Sequence, residues 1–199
     1  SDESAITDMR RYQAAVNNAV SVGLGAGSPQ QSAMVARVAA EIQPQHVNQV
    51  FTGVATSRAL LGQADTVING LVASSGEVGL VNVATGPLSS QSAKANIPVA
   101  TAITMLKDMG GTSLKYFPMQ GTAHLEEFKA VAAACADNEF GLEPTGGLDL
   151  TNFQQIVQIA VAAGVRQIIP HVYSSIIDAT TGETQPEAVA QLLTVMKQF

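Results

Sequence analysis

A single cysteine in 199 residues leaves no internal disulfide to form, and Cys135 lies in VAAACA, a setting that suits a small buried helix residue. Such cysteine usage fits a cytoplasmic protein. Charge is scarce as well. Only 13% of residues are charged, so an ionisable side chain inside an apolar run carries information. The ten Lys and Arg residues are dispersed, and a net charge of −6 supplies no field to draw in a polyanion. No nucleic-acid partner is expected. No apolar run approaches the length needed to cross a bilayer, and the opening SDESAITDMRRYQ has no apolar core of a signal peptide. Hydrophobic residues, by contrast, make up 46% of the chain, enough for one soluble domain, residues 1–199, with a substantial core.

One pattern recurs along the chain: a short apolar run, a cluster of Gly, Thr, Ser or Pro, then an alanine-rich helical stretch. AVSVGLGAG (19–27) precedes SPQQSAMVARVAAEI, where Ser28 suits an N-cap and Pro29 a first helical residue. HVNQVFTG (46–53) precedes the short helix VATSRALLG. TVINGLVASS and GLVNVATG (66–86) read as a hairpin or split strand around Ser75-Gly76, followed by IPVATAITMLKDMGG. SLKYFPM, FGLEPTGG and RQIIPHVYSS each precede a further helix. Strands alternating with helices predict right-handed βαβ units and a parallel sheet.

Polar residues and glycines stand at nearly every predicted strand end: GLGAGS, HVNQVFTG, ATGPLSS, KYFPMQG, EPTGG and PHVYSS. A doubly wound sheet gathers its ligand residues at one switch point, whereas a (β/α) barrel spreads them over a ring of loops. The expected fold is therefore α/β of the (β/α)8 TIM-barrel type. About six parallel strands are found, and residues 1–18 read as a helix with no strand before it, so the first one or two βα units are expected to be lacking from this chain.

Lys115, in SLKYFPM, is one of five lysines and sits inside an apolar run. A strand lysine ordinarily points to solvent. Parallel strands in such folds are covered on both faces, however, and Leu114, Tyr116 and Phe117 leave no exposed alternation. A lysine pointing into a barrel near its carboxyl end is desolvated, which favours the neutral amine, the nucleophile that forms a Schiff base with a ketone.

SLKYFPM resembles the L-K-F-F-P strand of the bacterial 2-keto-3-deoxy-6-phosphogluconate (KDPG) aldolases, and LEPTGG followed by DLTNF resembles their P-T-G-G strand. VGLGAG is similar to their third-strand V-G-A-G. GLGAGSPQQ, QPQHVNQVFTG, ATGPLSS, KDMGG, KYFPM, EPTGG and IPHVYSSIID together resemble the KDGP aldolase family of glucosaminate degradation more closely still, over nearly the whole chain. The resemblance implies a metal-free and cofactor-free class I aldolase that cleaves 2-dehydro-3-deoxy-6-phosphogluconate to pyruvate and glyceraldehyde 3-phosphate. It also implies a homo-oligomer. Lys115 takes the place of the imine lysine, and Gly146 and Gly147 the place of the phosphate-binding glycines, helped by the positive end of the next helix. The E-x-T-x-R motif that supplies the acid and base of the KDPG aldolases on their second strand is not found here. The proton-transfer residue is thus left open.

Candidates for the rest of the site follow from position. Glu143, a carboxylate in the apolar strand FGLEPT, is the first choice for a proton shuttle, with structural pairing to a lysine as the competing role. Thr145, Ser174 and Ser175 could bind phosphate, while Asn48, Gln49 and Thr85 at strand ends could hold the carboxylate or hydroxyls of the substrate. His46 and His171 are equally suited to a core role or to the site; His124 reads as solvent-facing and Asp149 as a helix cap. Three other readings stay open: an aldolase for 4-hydroxy-2-oxoglutarate or another 2-keto-3-deoxy acid, a metal-dependent lyase or epimerase, and a catalytically silent sugar-phosphate-binding barrel. The histidines and acids show no compact metal-ligand spacing in the sequence, which weighs against the second.

Overall fold

The computed structural model describes residues 2–199. In chain order its elements are α1 (Asp2–Ala15), β1 (Ser21–Val22), α2 (Ser32–Ile42), β2 (His46–Val50), α3 (Val54–Leu61), β3 (Val67–Ser74), β4 (Leu80–Asn82), β5 (Asn96–Pro98), α4 (Val99–Asp108), β6 (Ser113–Tyr116), α5 (Leu125–Asp137), β7 (Gly141–Pro144), α6 (Phe153–Ala163) and α7 (Pro186–Met196). The parallel strands lie in the order β1, β2, β3, β6, β7. Parallel bridges from Leu142 to Ile168 and from Thr145 to His171 add residues 168–171 as a sixth parallel segment. Between β3 and α4 the chain makes an antiparallel excursion, in which β4 pairs with the end of β3 and β5 pairs with β4. The predicted alternation of strands and helices is present, and the hairpin reading around Ser75-Gly76 holds.

The sheet is not closed. Among the described residues β1 pairs only with β2, and residues 168–171 pair only with β7. Two expected strands are also shorter than their apolar runs. Beyond Val22 the run carries Gly23, Gly25 and Gly27, and the chain turns into short 3-10 segments at Gly25–Gly27 and Pro29–Gln31 instead of extending β1. Ser28 precedes the second of these without a side-chain capping bond. In the last segment the Ile169 and His171 amides donate to Leu142 and Pro144 of β7. Pro170, which has no N–H, takes the alternate position that faces away from β7, as an edge position permits.

Each main helix covers the sheet with residues repeating at three and four. Val35, Val38, Ala39 and Ile42 are buried on α2; Val99, Ala102, Ile103 and Leu106 on α4; Phe128, Val131, Ala132 and Cys135 on α5; Phe153, Ile156, Val157 and Ala160 on α6. These meet Val47, Ile68, Val72, Leu114, Tyr116 and Leu142 from the strands in one core. Gly70 of β3 shows how close the approach is: a Cβ there would lie 2.0 Å from Leu106 Cδ2. α3 and α6 end at Gly62 and Gly164, whose left-handed φ angles of 67° and 93° let the last carbonyls be capped. At the end of the sheet where the strands begin, the Arg58 guanidinium donates to the carbonyls of Gly110, Gln63 and Thr66 and ties α3 to the loops before β3 and β6. The opposite end, where the strands finish, is left free for chemistry.

Candidate active site

The strands place polar side chains inside the curve of the sheet at every second residue: His46 and Asn48 on β2, Asn69 on β3, Ser113 and Lys115 on β6, Glu143 on β7 with Thr145 just beyond it, and His171 in the last segment with Tyr173 just beyond it. Many of these line a cavity of about 850 Å³, including Lys115, His46, Asn48, Thr145, His171 and Tyr173. Lys115 Nζ donates to Asn48 Oδ1 at 2.9 Å. Asn48 in turn donates to Ser21 Oγ at 2.8 Å and accepts from Asn69 Nδ2 at 2.7 Å. Burial lowers the Lys115 ammonium to about 8 against the opposing attraction of the Glu143 charge. The neutral amine at pH 7, about 0.03% for an ordinary lysine, thus becomes about ten percent.

Glu143 is fully buried and collects hydrogen bonds on both oxygens. Ser113 Oγ donates to Oε1 at 2.5 Å and Asn69 Nδ2 to Oε2 at 2.5 Å. His46 Nε2 lies 3.0 Å from Oε1, and His171 Nε2 lies 2.7 Å from Oε2. Burial alone would raise this carboxyl, but the bonds from His171 and His46 hold it well below the usual carboxylate range. The carboxylate therefore accepts from both Nε2–H groups, which fixes Nδ1 of each ring as an acceptor. Ser21 Oγ reaches His46 Nδ1 at 2.7 Å, and the Tyr173 hydroxyl reaches His171 Nδ1 at 3.0 Å. Burial also pushes His171 below its ordinary value despite the Glu143 contact.

His46, Glu143 and His171 come from three distant stretches of chain, yet one donor atom from each lies within 4.8 Å of the others. The lack of compact spacing in the sequence therefore concealed a set of two histidines and one carboxylate of the kind that can hold a divalent cation. As arranged, the carboxylate is saturated by Ser113, Asn69 and the two rings, and a cation would require both Nε2 atoms to give up their protons.

The remaining candidates are dispersed. The Gln49 amide bonds Ser32 O, Ser57 Oγ and the Val50 amide, which binds β2 to the helices. Thr85 lies outside the cavity lining; its hydroxyl donates to Leu71 O and accepts from the Phe51 amide. Gly146 and Gly147 have φ angles of 99° and 73° and pack against the turn at 117–121, where a Cβ on Gly147 would stand 2.5 Å from the Gly121 amide. The Thr145 hydroxyl donates to Glu143 O. Ser174 starts a 3-10 turn and Ser175 Oγ donates to Leu148 O. Asp149 accepts from the amides of Thr151 and Asn152 in the turn ahead of α6, whose N-cap is Asn152 without a side-chain capping bond, so the expected cap is a turn-stabilising residue instead. His124 pairs with Glu127 at the start of α5, and Cys135 is buried with its thiol pushed up to about 12 by desolvation. Ser21, Asn69, Ser113 and Tyr173 escaped the sequence reading. The period of two puts Ser113 on the face of Lys115 and Tyr173 on that of His171, whereas Ser21 and Asn69 reach the site only through strand pairing with β2.

Residues 1–180 match the family described as KDGP aldolase. A curated relative, the 2-dehydro-3-deoxy-phosphogluconate aldolase of Salmonella typhimurium, is 43% identical over 199 residues, spanning 98% of this chain and 80% of its own. Two solved structures share the fold: "native KDPGal" (TM-score 0.51, 14% identity, 89% of this chain and 67% of that one) and thiamine phosphate pyrophosphorylase from Pyrococcus furiosus (TM-score 0.52, 10% identity, 97% and 89%). At those identities the likeness concerns fold alone. Family and relative together make this protein a carbon–carbon lyase of the aldolase type. The chain belongs to the KDGP aldolase family.

Proposed function

We propose that this aldolase works through an imine on Lys115 and cleaves 2-dehydro-3-deoxy-6-phosphogluconate to pyruvate and glyceraldehyde 3-phosphate. The observation that carries the reading is a desolvated lysine, lowered to about 8, on the wall of the large cavity. The neutral amine attacks C2 of the keto acid, and loss of water gives an iminium. The iminium draws the C3–C4 bonding electrons as that bond breaks, the aldehyde departs, and protonation at C3 followed by hydrolysis frees pyruvate. Asn48, accepting from Nζ, holds the lysine in place.

The substrate's phosphate is assigned to the loops after β7 and around Ser174 and Ser175, with the Gly146 and Gly147 amides and the Thr145 hydroxyl as donors. The name of the relative supports a phosphorylated keto acid. The six parallel segments are read as part of a (β/α)8 barrel, interrupted between β1 and residues 168–171, a reading supported by their continuous order and by the site at their carboxyl ends. An exposed β1 edge supports assembly into a homo-oligomer. The single buried thiol supports a cytoplasmic home.

Incubation with pyruvate and sodium borohydride, followed by peptide mass spectrometry, tests the reading. A pyruvate-sized adduct on Lys115 that is absent from Lys115→Ala is expected. No adduct on the folded wild-type protein would remove the Schiff base. Comparing phosphorylated with unphosphorylated keto acids as substrates then tests the phosphate assignment.

A further inference from the structure

Retro-aldol cleavage needs a group that takes the proton from the C4 hydroxyl, and Lys115, committed as the iminium, cannot be that group. Two hydrogen-bonded paths leave Glu143. The first runs through His46 to Ser21, whose hydroxyl is already engaged by both His46 Nδ1 and Asn48 Nδ2. The second runs through His171 to Tyr173. The Tyr173 oxygen has one partner, His171 Nδ1, and its side chain lines the cavity at 56% exposure with the ring centre 5.9 Å from Lys115 Nζ.

We infer that Tyr173 is the catalytic residue that receives the C4 hydroxyl proton, passing its own to His171, which Glu143 orients. The inference rests on the Lys115 imine reading. As the C3–C4 bond breaks, its electron pair forms the C2–C3 double bond of the enamine while the iminium π pair moves onto nitrogen. The C4 oxygen becomes the aldehyde oxygen and its proton moves to the Tyr173 oxygen; the phenolic proton moves to His171 Nδ1. The resulting imidazolium is held against the Glu143 carboxylate. Return of the proton by the same route to C3 of the enamine completes the balance, with no outside acid or base.

Three features suit this task. The Nε2–H to Glu143 bond presents His171 Nδ1 as an acceptor facing Tyr173, so the ring is in the required tautomer before substrate arrives. Burial and the Glu143 charge raise Tyr173 above its ordinary value, so it stays protonated and acts as a conduit and not as a phenolate base. Glu143 contacts no substrate-facing surface and serves as a positioning residue, comparable in logic to the carboxylate of a Ser-His-Asp triad.

The test compares wild type, Tyr173→Phe and His171→Gln for borohydride trapping of pyruvate, cleavage kinetics, and deuterium exchange into the pyruvate methyl. Tyr173→Phe keeps the half-exposed ring and removes only the hydroxyl. The expected result is wild-type trapping on Lys115, kcat lower by about 100-fold or more with KM within about threefold, and a matching loss of methyl exchange. His171→Gln should show the same division between trapping and cleavage. Wild-type kcat in Tyr173→Phe overturns the relay. So does loss of trapping together with cleavage, which would mean that Tyr173 shapes the lysine site. Failure of the wild-type protein to trap pyruvate overturns the Lys115 reading, which is separable because it appears before any variant is made.

Discussion

Lys115 and Glu143 are register partners on the adjacent parallel strands β6 and β7, yet they form no direct ion pair. The amine turns to Asn48, and the carboxylate turns to Ser113, Asn69 and the two histidines. That separation decides the chemistry. A carboxylate in contact would hold the lysine protonated, whereas a neutral carbonyl oxygen accepts one hydrogen bond and leaves desolvation to dominate.

Activity should therefore depend on the Lys115 ammonium. For free enzyme, kcat/KM should rise as pH passes through about 8, and Asn48→Asp, which places a charge at that contact, should move the rise upward by about one unit or more. Stability carries the same signature. Between about 8 and the ordinary value of 10.5 the unfolded chain binds more protons than the folded one, so this group's contribution to stability improves as pH rises through that window. Lys115→Met should be inactive and, below that window, more stable by up to ~3 kcal/mol in urea unfolding. An inactive variant with unchanged stability would indicate a lysine that is not desolvated.

Glu143 should act in the opposite sense. Its folded carboxyl lies below the ordinary value of 4.5, so its stabilisation is complete above that value and is lost as acid protonates the folded group. Glu143→Gln sets an amide donor against Ser113, Asn69 and the histidine Nε2–H groups. A cost of ~2–4 kcal/mol near neutral pH is expected, together with a flatter fall in stability on acidification. Urea unfolding of both proteins from neutral to acid pH reads the difference. Parallel curves would assign the acid transition to other carboxyls.

Chelation separates imine chemistry from metal chemistry at the cluster of His46, Glu143 and His171. Because the Glu143 oxygens are already committed to protein donors, treatment with EDTA and desalting should leave kcat unchanged. Loss of activity restored by zinc or manganese would assign catalysis to a bound cation and make Lys115 a secondary group.

Much of this arrangement could be read from the chain because its logic is local. Alternating strands and alanine-rich helices pointed to a parallel sheet, and a lysine between Leu114 and Tyr116 marked an inward position. The Glu143 network was only half visible. His46, Asn69, Ser113 and His171 approach one carboxylate from four different strands or segments, and that convergence is a product of sheet curvature and register. Residue type alone could not choose between Thr85, which ties a loop to the sheet, and Asn48, which holds the lysine. The open sheet agrees with the strand count: the six predicted parallel strands are five strands joined by four ladders, plus a segment joined by single bridges.

Packing around Gly70 should show strict dependence on side-chain volume. A methyl there meets Leu106 at 2.0 Å, so Gly70→Ala should destabilise by ~1–3 kcal/mol. Leu106→Ala alone should cost ~2–5 kcal/mol through its cavity. The double variant should be more stable than the sum of the two losses, because the added methyl enters the emptied space. Additive losses in a thermodynamic cycle would mean that the strand and helix separate independently.

Gly23 connects this packing to the chemistry. A Cβ at Gly23 would lie 2.8 Å from Asn48 Cβ and 3.0 Å from its Nδ2, so the short β1 edge passes the asparagine with no room for a side chain. Gly23→Ala, a change on the cavity wall itself, should push Asn48 away from Lys115. Loss of that acceptor favours the neutral amine further, and the rise in kcat/KM should move below about 8. At the same time kcat should fall by about tenfold or more, since the lysine is no longer held in one geometry. A lower kcat with an unmoved pH profile would show that the methyl disturbs another part of the cavity, whereas the paired shift would identify Asn48 as the group through which β1 controls the lysine.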